Sequence, residues 1–436
     1  MISFEKYKTS SCDWIDSIPS HWDTHRIKML FSLRDERNYK PLNEVNLISL
    51  YTSLGVRQHK DIEHTTGNKA RNADGYKIVY PDDIVVNILL CWMGAIGRSD
   101  YYGVTSPAYD IYKPKTNLVS TKYYNYLMRT PMFAQQCYRA GKGIMSMRWR
   151  TYSPQFSNIV VPVPSRDEQD QIVRFLDWKT SSINKLINQK RKEITEIEEL
   201  KKLLIYRVAT KGLNANVPMK NSETPWLGEI PRHWELGKAK RFIRITNGSD
   251  PKTNGSIPVY GSGKEPFKTC GEYKEGSTVL LGRKGSIKNP IFIEGRYWNV
   301  DTAFDVKPIS NDYLLKYYYY LALCFDYDYY TTQTAIPSMT QTDYENMYLP
   351  VPSIAEQENI VCYLNEKCEG VDLMIGNLQS YIQTLQELKT QLISDVVTGK
   401  IDVRGVEIPE YEYVDDDMTD TDEENESEEL TEEQEE

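Results

Sequence analysis

Val163-Pro164-Ser165-Arg166-Asp167-Glu168-Gln169 opens a long run of helical pattern that closes on Val208-Ala209-Thr210. The same phrase returns as Val351-Pro352-Ser353-Ile354-Ala355-Glu356-Gln357 and closes on Val396-Val397-Thr398. Ser165 with Glu168, and Ser353 with Glu356, are S-x-x-E capping boxes, in which the hydroxyl accepts from the third amide and the carboxylate returns to the cap amide. Each run therefore has a marked start, and Gly212 and Gly399 mark the ends. Between them Ile183, Ile187, Ile194, Ile197, Leu204 and Val208 fall on alternating four-and-three spacing, with Lys190 and Lys201 at the two remaining positions. Val371, Ile375, Leu378, Ile382, Leu385, Leu392 and Val396 repeat the pattern, a heptad seam of the coiled-coil kind. At 1.5 Å per residue each helix would reach roughly 66 Å if Thr180-Ser181-Ser182 and Gly370 do not break it. Two equal helices in one chain, separated by a globular module, pair most simply antiparallel.

A second echo sets Ile18-Pro19-Ser20-His21-Trp22 beside Ile230-Pro231-Arg232-His233-Trp234, while most of the sequence between the echoes differs. The expected layout is a first variable module over 1–164, a helical spacer over 165–212, a second module over 213–352, a second spacer over 353–405 and an acidic tail over 406–436. The modules read as mixed α and β. Asp83–Leu89 and Ser277–Leu281 are short β-branched runs bounded by turn residues, and Tyr123–Met128 and Tyr313–Leu323 read as helices. Gly248–Gly263 reads as turn chemistry. The fold class expected is α+β, with two unlike heads related by a pseudo-two-fold repeat at opposite ends of an antiparallel helix pair. A conserved spacer with changed heads suits reading two different things a fixed distance apart.

Seven scattered cysteines without a C-x-x-C pair fit neither a disulfide framework nor a zinc site. The longest apolar stretch, Ile84 to Gly97, is interrupted by Asn87 and is too short to span a bilayer, and the N-terminus lacks a signal-like apolar run. A cytoplasmic protein without membrane attachment is expected. The formal charge of −10 hides an asymmetry, because Val414–Glu436 holds fourteen acids and no lysine or arginine. The preceding 413 residues carry 52 basic and 48 acidic side chains, a net of +4. The body is mildly basic, and the self-repelling tail is expected to be disordered.

Catalytic patterns are missing. Gly261-Ser262-Gly263-Lys264 lacks the first glycine and the following Ser or Thr of a phosphate loop, and no H-E-x-x-H occurs. His21 and His25 follow a proline and recur only in part at His233, which favours packing over ligation. Ser106-Pro107-Ala108-Tyr109 has alanine where the tetrapeptide of DNA amino-methyltransferases carries a second proline, so it reads as a turn entering a strand. No catalytic residue and no metal ligand is assigned.

Nucleic-acid chemistry is present. Arg139–Arg150 carries Arg139, Lys142, Arg148 and Arg150 and no acid, interleaved with Gly141, Gly143, Met145, Ser146, Met147 and Trp149. Arginine grips guanine edges or phosphate with two parallel bonds. Gly282-Arg283-Lys284-Gly285-Ser286, with Lys288 behind it, has the same character, and Asn247, Ser249 and Lys252 belong to a loop of small polar side chains. The DNA-contact set expected is Lys142, Gly143, Ser146, Arg148, Arg150, Asn247, Ser249, Lys252, Arg283, Lys284, Ser286 and Ser338. Ser338 aligns with Arg150, so the two modules would prefer different bases.

Taken together, these motifs resemble the DNA-specificity subunit of type I restriction-modification systems. The resemblance spans residue 10 to about 405 and rests on the paired V-P-S-x-x-E-Q starts, the V-x-T closures, the I-P-x-H-W pair, Ser106–Tyr109 and Gly282–Ser286. It implies a non-catalytic chain with two target-recognition domains, each reading half of a split, asymmetric site in double-stranded DNA, and a helical ruler between them. It implies two modification subunits that use S-adenosylmethionine to methylate adenine, with no cofactor bound by this chain, and restriction subunits that can join. Leu186, Leu200, Leu203, Leu373, Leu388 and Ile393 lie beside the seam and widen the apolar face, as a docking surface for those subunits would. The acidic tail departs from the family pattern. Alternatives are a specificity protein of a related system with one fused restriction-modification subunit, and a coiled-coil adaptor whose modules bind protein.

Overall fold

The computed structural model describes residues 3–52, 54–61, 72–143, 149–331 and 337–415. The chain divides into two compact units, residues 1–189 with 381–436, and residues 190–380.

In the first unit four antiparallel strands stand in the order Phe31–Arg34, Tyr109–Pro114, Ile84–Asn87, Ile96–Arg98. Ile111 lies opposite both Arg34 and Val85. In the second unit the order is Ile243–Asn247, Ala303–Pro308, Thr278–Gly282, Ile291–Ile293, with Val306 opposite both Ile245 and Val279. The central strands are buried almost throughout, which explains their continuous apolar runs. A helix follows each sheet, Thr121–Met128 and Leu315–Ala322. The second unit adds a four-stranded sheet in the order Lys268–Cys270, Ile257–Tyr260, Arg296–Asn299, Lys274–Glu275. Its strand Ile257–Tyr260 falls inside Gly248–Gly263, where the sequence reads as turns only. The apolar Ile257 and Val259 sit between glycines that serve its ends.

Two long helices complete the chain, Arg166–Lys211 and Ile354–Val397. Neither breaks at Thr180-Ser181-Ser182 or Gly370. Thr180 and Ser182 donate their hydroxyls to the carbonyls of Leu176 and Trp178 one turn back, so the polar run stays helical. In the first unit Ile183 and Ile187 share a core with Leu385 and Leu392, and Lys389 Nζ donates to Asn184 Oδ1 at 2.9 Å. In the second unit Ile205, Val208 and Ala209 share a core with Ile360, Leu364 and Cys368, and Lys201 Nζ meets Asp372 Oδ1 at 2.6 Å.

The repeated phrases meet at two similar joints. His21 bonds Glu168 at 3.0 Å in the first unit, and His233 bonds Glu356 at 2.8 Å in the second. Gln169 accepts from Ser120 N and donates to the carbonyls of Leu118 and Pro164, while Gln357 accepts from Leu314 N and donates to those of Asp312 and Pro352. Trp22 packs where Gly399 ends one helix, and Trp234 where Gly212 ends the other. Tyr123 donates to Val397 O and Tyr317 to Ala209 O, both at the V-x-T closures. The E and Q of each helix start are therefore occupied by the module that precedes it. Of these two helix starts, the reciprocal capping box closes at Ser353–Glu356. At the first helix Ser165 still caps Glu168 N, but an oxygen of the carboxylate is turned to His21.

Candidate nucleic-acid interface

In the second unit two loops meet the turn Asn299-Val300-Asp301-Thr302, and a third packs on one of them. Arg283 N donates to Thr302 O at 2.8 Å, and Ser249 N to Asn299 O at 3.0 Å. Pro337 O accepts from Gly285 N and Arg283 O accepts from Met339 N, which lays Ser338 against Lys284 as an isolated antiparallel bridge. Arg283, Lys284 and Ser286 are exposed, and Ser338 is half-buried. Trp298 Nε1 donates to Ser249 O at 2.7 Å, and Glu272 takes the amides of Lys252 and Thr253, so the loop holding Asn247, Ser249 and Lys252 is pinned at both ends. The hydroxyl of Thr253, joined by the amides of Lys252 and Thr253, outweighs burial and holds the half-buried Glu272 carboxyl down at about 2.

In the first unit Lys142 and Arg150 bridge each other across a loop, with N–O distances of 2.9 and 3.0 Å. Trp149 stacks on Tyr138 at 4.7 Å and donates to its carbonyl at 2.9 Å, which fixes the loop to the helix Pro131–Ala140. Lys142 and Gly143 are exposed and Arg150 is half-buried; Ser146 and Arg148 lie outside the described residues. Thr151 N donates to Ile88 O at 3.0 Å, as Met339 N does to Arg283 O at 3.1 Å. The two units thus set corresponding loops side by side with their charge exchanged. Basic side chains occupy the later loop in the first unit and the earlier loop in the second. Arg150 and Ser338 align in sequence but bridge different partners, one within its own loop and one across to Lys284.

Beneath each surface lies a pair built on a buried aspartate that the sequence alone did not suggest. Asp110 holds Lys77 Nζ at 3.0 Å and Ser153 Oγ at 2.5 Å. Asp305 holds Lys274 Nζ at 2.9 Å, Thr278 Oγ1 at 2.5 Å and Tyr297 Oη at 2.9 Å, and Lys274 also reaches Asn299 Oδ1 at 2.8 Å. Burial pushes the Asp305 carboxyl up, but Thr278, Lys274 and Tyr297 outweigh it and hold it below its usual value. The signal was present, since an aspartate inside an apolar strand, Tyr109-Asp110-Ile111 or Phe304-Asp305-Val306, is disfavoured unless paired. Ser106–Tyr109 forms a turn, Tyr109 N to Ser106 O at 3.1 Å, leading into its strand.

Residues 231–376 match the model of the type I restriction modification DNA specificity domain. The chain is 23% identical over 371 residues to the type I restriction enzyme MjaVIII specificity subunit of Methanocaldococcus jannaschii, covering 74% of this chain and 82% of that one. It is 24% identical over 285 residues to the putative MjaX specificity subunit of the same organism, covering 57% and 61%. The chain is thus similar to type I specificity subunits over 74% of its length. The fold agrees with a chain from a solved structure concerned with complex assembly and conformational transition of the type I R-M system, at TM-score 0.65 and 12% identity over 88% of this chain and 99% of that one.

On the long helices, Leu186, Leu200, Leu203, Leu373 and Leu388 are exposed, at 41% to 67%. Ile393 is not. It is half-buried against the core of the first unit that includes Leu385, Leu392 and Val396. Among the described residues no helix is long and apolar enough to cross a membrane.

Proposed function

We propose that this chain reads a bipartite, asymmetric sequence in double-stranded DNA, one half with each variable module, and directs adenine methylation and restriction by partner subunits. The exchanged charge on corresponding loops carries this reading. Loops held by equivalent backbone bonds present Lys142 and Arg150 in one unit and Arg283, Lys284 and Ser286 in the other, so the units make different contacts from one scaffold. Lys142, Gly143, Ser146, Arg148 and Arg150 serve the first half-site; Asn247, Ser249, Lys252, Arg283, Lys284, Ser286 and Ser338 serve the second. Asp110 and Asp305 position them.

The proposed domains are 1–164, 165–212, 213–352 and 353–405, with the acidic tail over 406–436, and the long helices form an antiparallel coiled coil with pseudo-two-fold symmetry. The Asn184–Lys389 and Lys201–Asp372 contacts, one in each unit, support that pairing. Two modification subunits, which carry S-adenosylmethionine, dock on Leu186, Leu200, Leu203, Leu373 and Leu388; restriction subunits join the assembly, which works in the cytoplasm.

Methylated adenines mapped in the source genome should fall in two short motifs separated by a non-specific gap. One short continuous motif would refute the proposal. Inserting one heptad after Ile194 and one after Ile382 should lengthen the gap and leave both halves unchanged.

A further inference from the structure

We infer that the hairpin loop Gly261–Lys268 is a further DNA-contacting element of the second module, with Phe267 as an apolar wedge at a base step and Lys264 and Lys268 on the flanking phosphates. The inference deepens the DNA-reading role proposed above and rests on it.

The placement comes from three contacts within the second unit. The loop joins the paired strands Ile257–Tyr260 and Lys268–Cys270 and is tied at its base by Phe267 N donating to Val259 O at 3.1 Å. A Cβ built on Gly285 would lie 3.5 Å from Ser262 Oγ, so the loop adjoins the Arg283–Ser286 turn. A Cβ on Gly261 would meet Thr302 Oγ1 at 3.0 Å and the Phe267 ring at 3.6 Å, which sets Phe267 beside the same turn that receives Arg283 and Ser249.

The chemistry of the loop suits DNA. Phe267 is 59% exposed and follows the exposed Pro266. Lys268 Nζ sits 5.2 Å from the ring centroid, and Lys264, Arg283 and Lys284 are exposed nearby, against one acid in the loop, Glu265. An apolar residue among cations, next to a surface that follows phosphates, is the composition of side chains that part base steps while lysines hold the backbone. A protein partner would be met instead by a broader apolar patch, and the loop offers one ring.

The assay uses the complete chain assembled with its modification subunits and a duplex carrying 2-aminopurine at successive steps of the second half-site. Wild-type complex should raise emission at one step, and Phe267→Ala should abolish that rise and weaken binding about 5- to 100-fold. Phe267→Leu should keep most of the rise. Lys264→Ala and Lys268→Ala should each lower the slope of log affinity against log salt by about one. Unchanged emission and affinity in Phe267→Ala, with salt-sensitive binding intact, would overturn the inference and leave the DNA-reading role standing. Loss of subunit assembly in Phe267→Ala would also overturn it, because the ring would then serve a protein contact. A wild-type assembly that binds no DNA would instead refute the role itself.

Discussion

Replacing Gly399 by alanine tests the joint at which the Ile-Pro-x-His-Trp motif meets a helix end, and Gly212 supplies the internal control. Both glycines have left-handed backbone, φ +78° and +75°, where a side chain costs roughly 1 to 2 kcal/mol. Their surroundings differ. At Gly212 the new methyl would lie 3.1 Å from Trp234 Cζ2, a gap that a small ring shift absorbs. At Gly399 it would lie 2.5 and 2.7 Å from Pro19 Cδ and Cγ and 2.9 Å from Trp22 Cη2. Those rings are rigid and Trp22 is fully buried, so overpacking adds about 1 to 3 kcal/mol. Gly399→Ala should therefore cost about 2 to 5 kcal/mol and Gly212→Ala about 1 to 2 kcal/mol, summing these ranges. Urea unfolding of the full chain, followed by tryptophan fluorescence, reads both. Pro19→Ala in the Gly399→Ala background should recover part of the loss, because it removes the two nearest atoms, and the double-mutant cycle isolates that coupling. Equal cost at the two glycines, or no coupling to Pro19, would refute close approach as the basis of the joint.

Burial pushes the Glu356 carboxyl up, but bonds from His233, Trp234 and Ser353 outweigh it and hold it at about 2, against an ordinary 4.5. Its stabilisation is therefore complete above about pH 4.5 and is lost as pH falls toward 2, so Glu356→Gln should flatten the acid limb of stability against pH; an unaltered limb would dismiss the linkage. Asp305→Ala leaves Lys274 without its carboxylate, and the second unit should lose roughly 3 to 5 kcal/mol in denaturant melts, with DNA preference in the second half-site weakened before the first. Arg150→Ala should weaken binding by about 1 to 3 kcal/mol and relax one half-site only, measured by competition between duplexes; an equal loss on all sequences would make Arg150 a phosphate contact.

The architecture was legible in the sequence wherever a pattern repeats along the chain. Heptad spacing is a one-dimensional property, so Ile183, Ile187, Leu385 and Leu392 could be assigned to a buried face from their intervals alone, and they are buried. The capping serines, terminal glycines and central strands follow from local backbone chemistry in the same way. Loop composition singled out Arg283–Ser286 and Lys142–Arg150 only as candidates, because cations without acids stand out in any order. What the repeats are for was decided only in three dimensions. Glu168 and Gln169 read as the start of a helix, yet their side chains are held by His21, Ser120 and Leu118, far away along the chain. Asp110 and Asp305 look misplaced in apolar strands until Lys77 and Lys274 arrive from other segments to neutralise them. Ile393 continues the exposed leucine stripe by interval but turns toward the core, because a helical interval fixes a direction and only the neighbouring elements fix whether that direction is covered. Sequence spacing sets which way a side chain points; burial, charge pairing and the convergence of loops on Asn299–Thr302 depend on what the folded chain places in front of it.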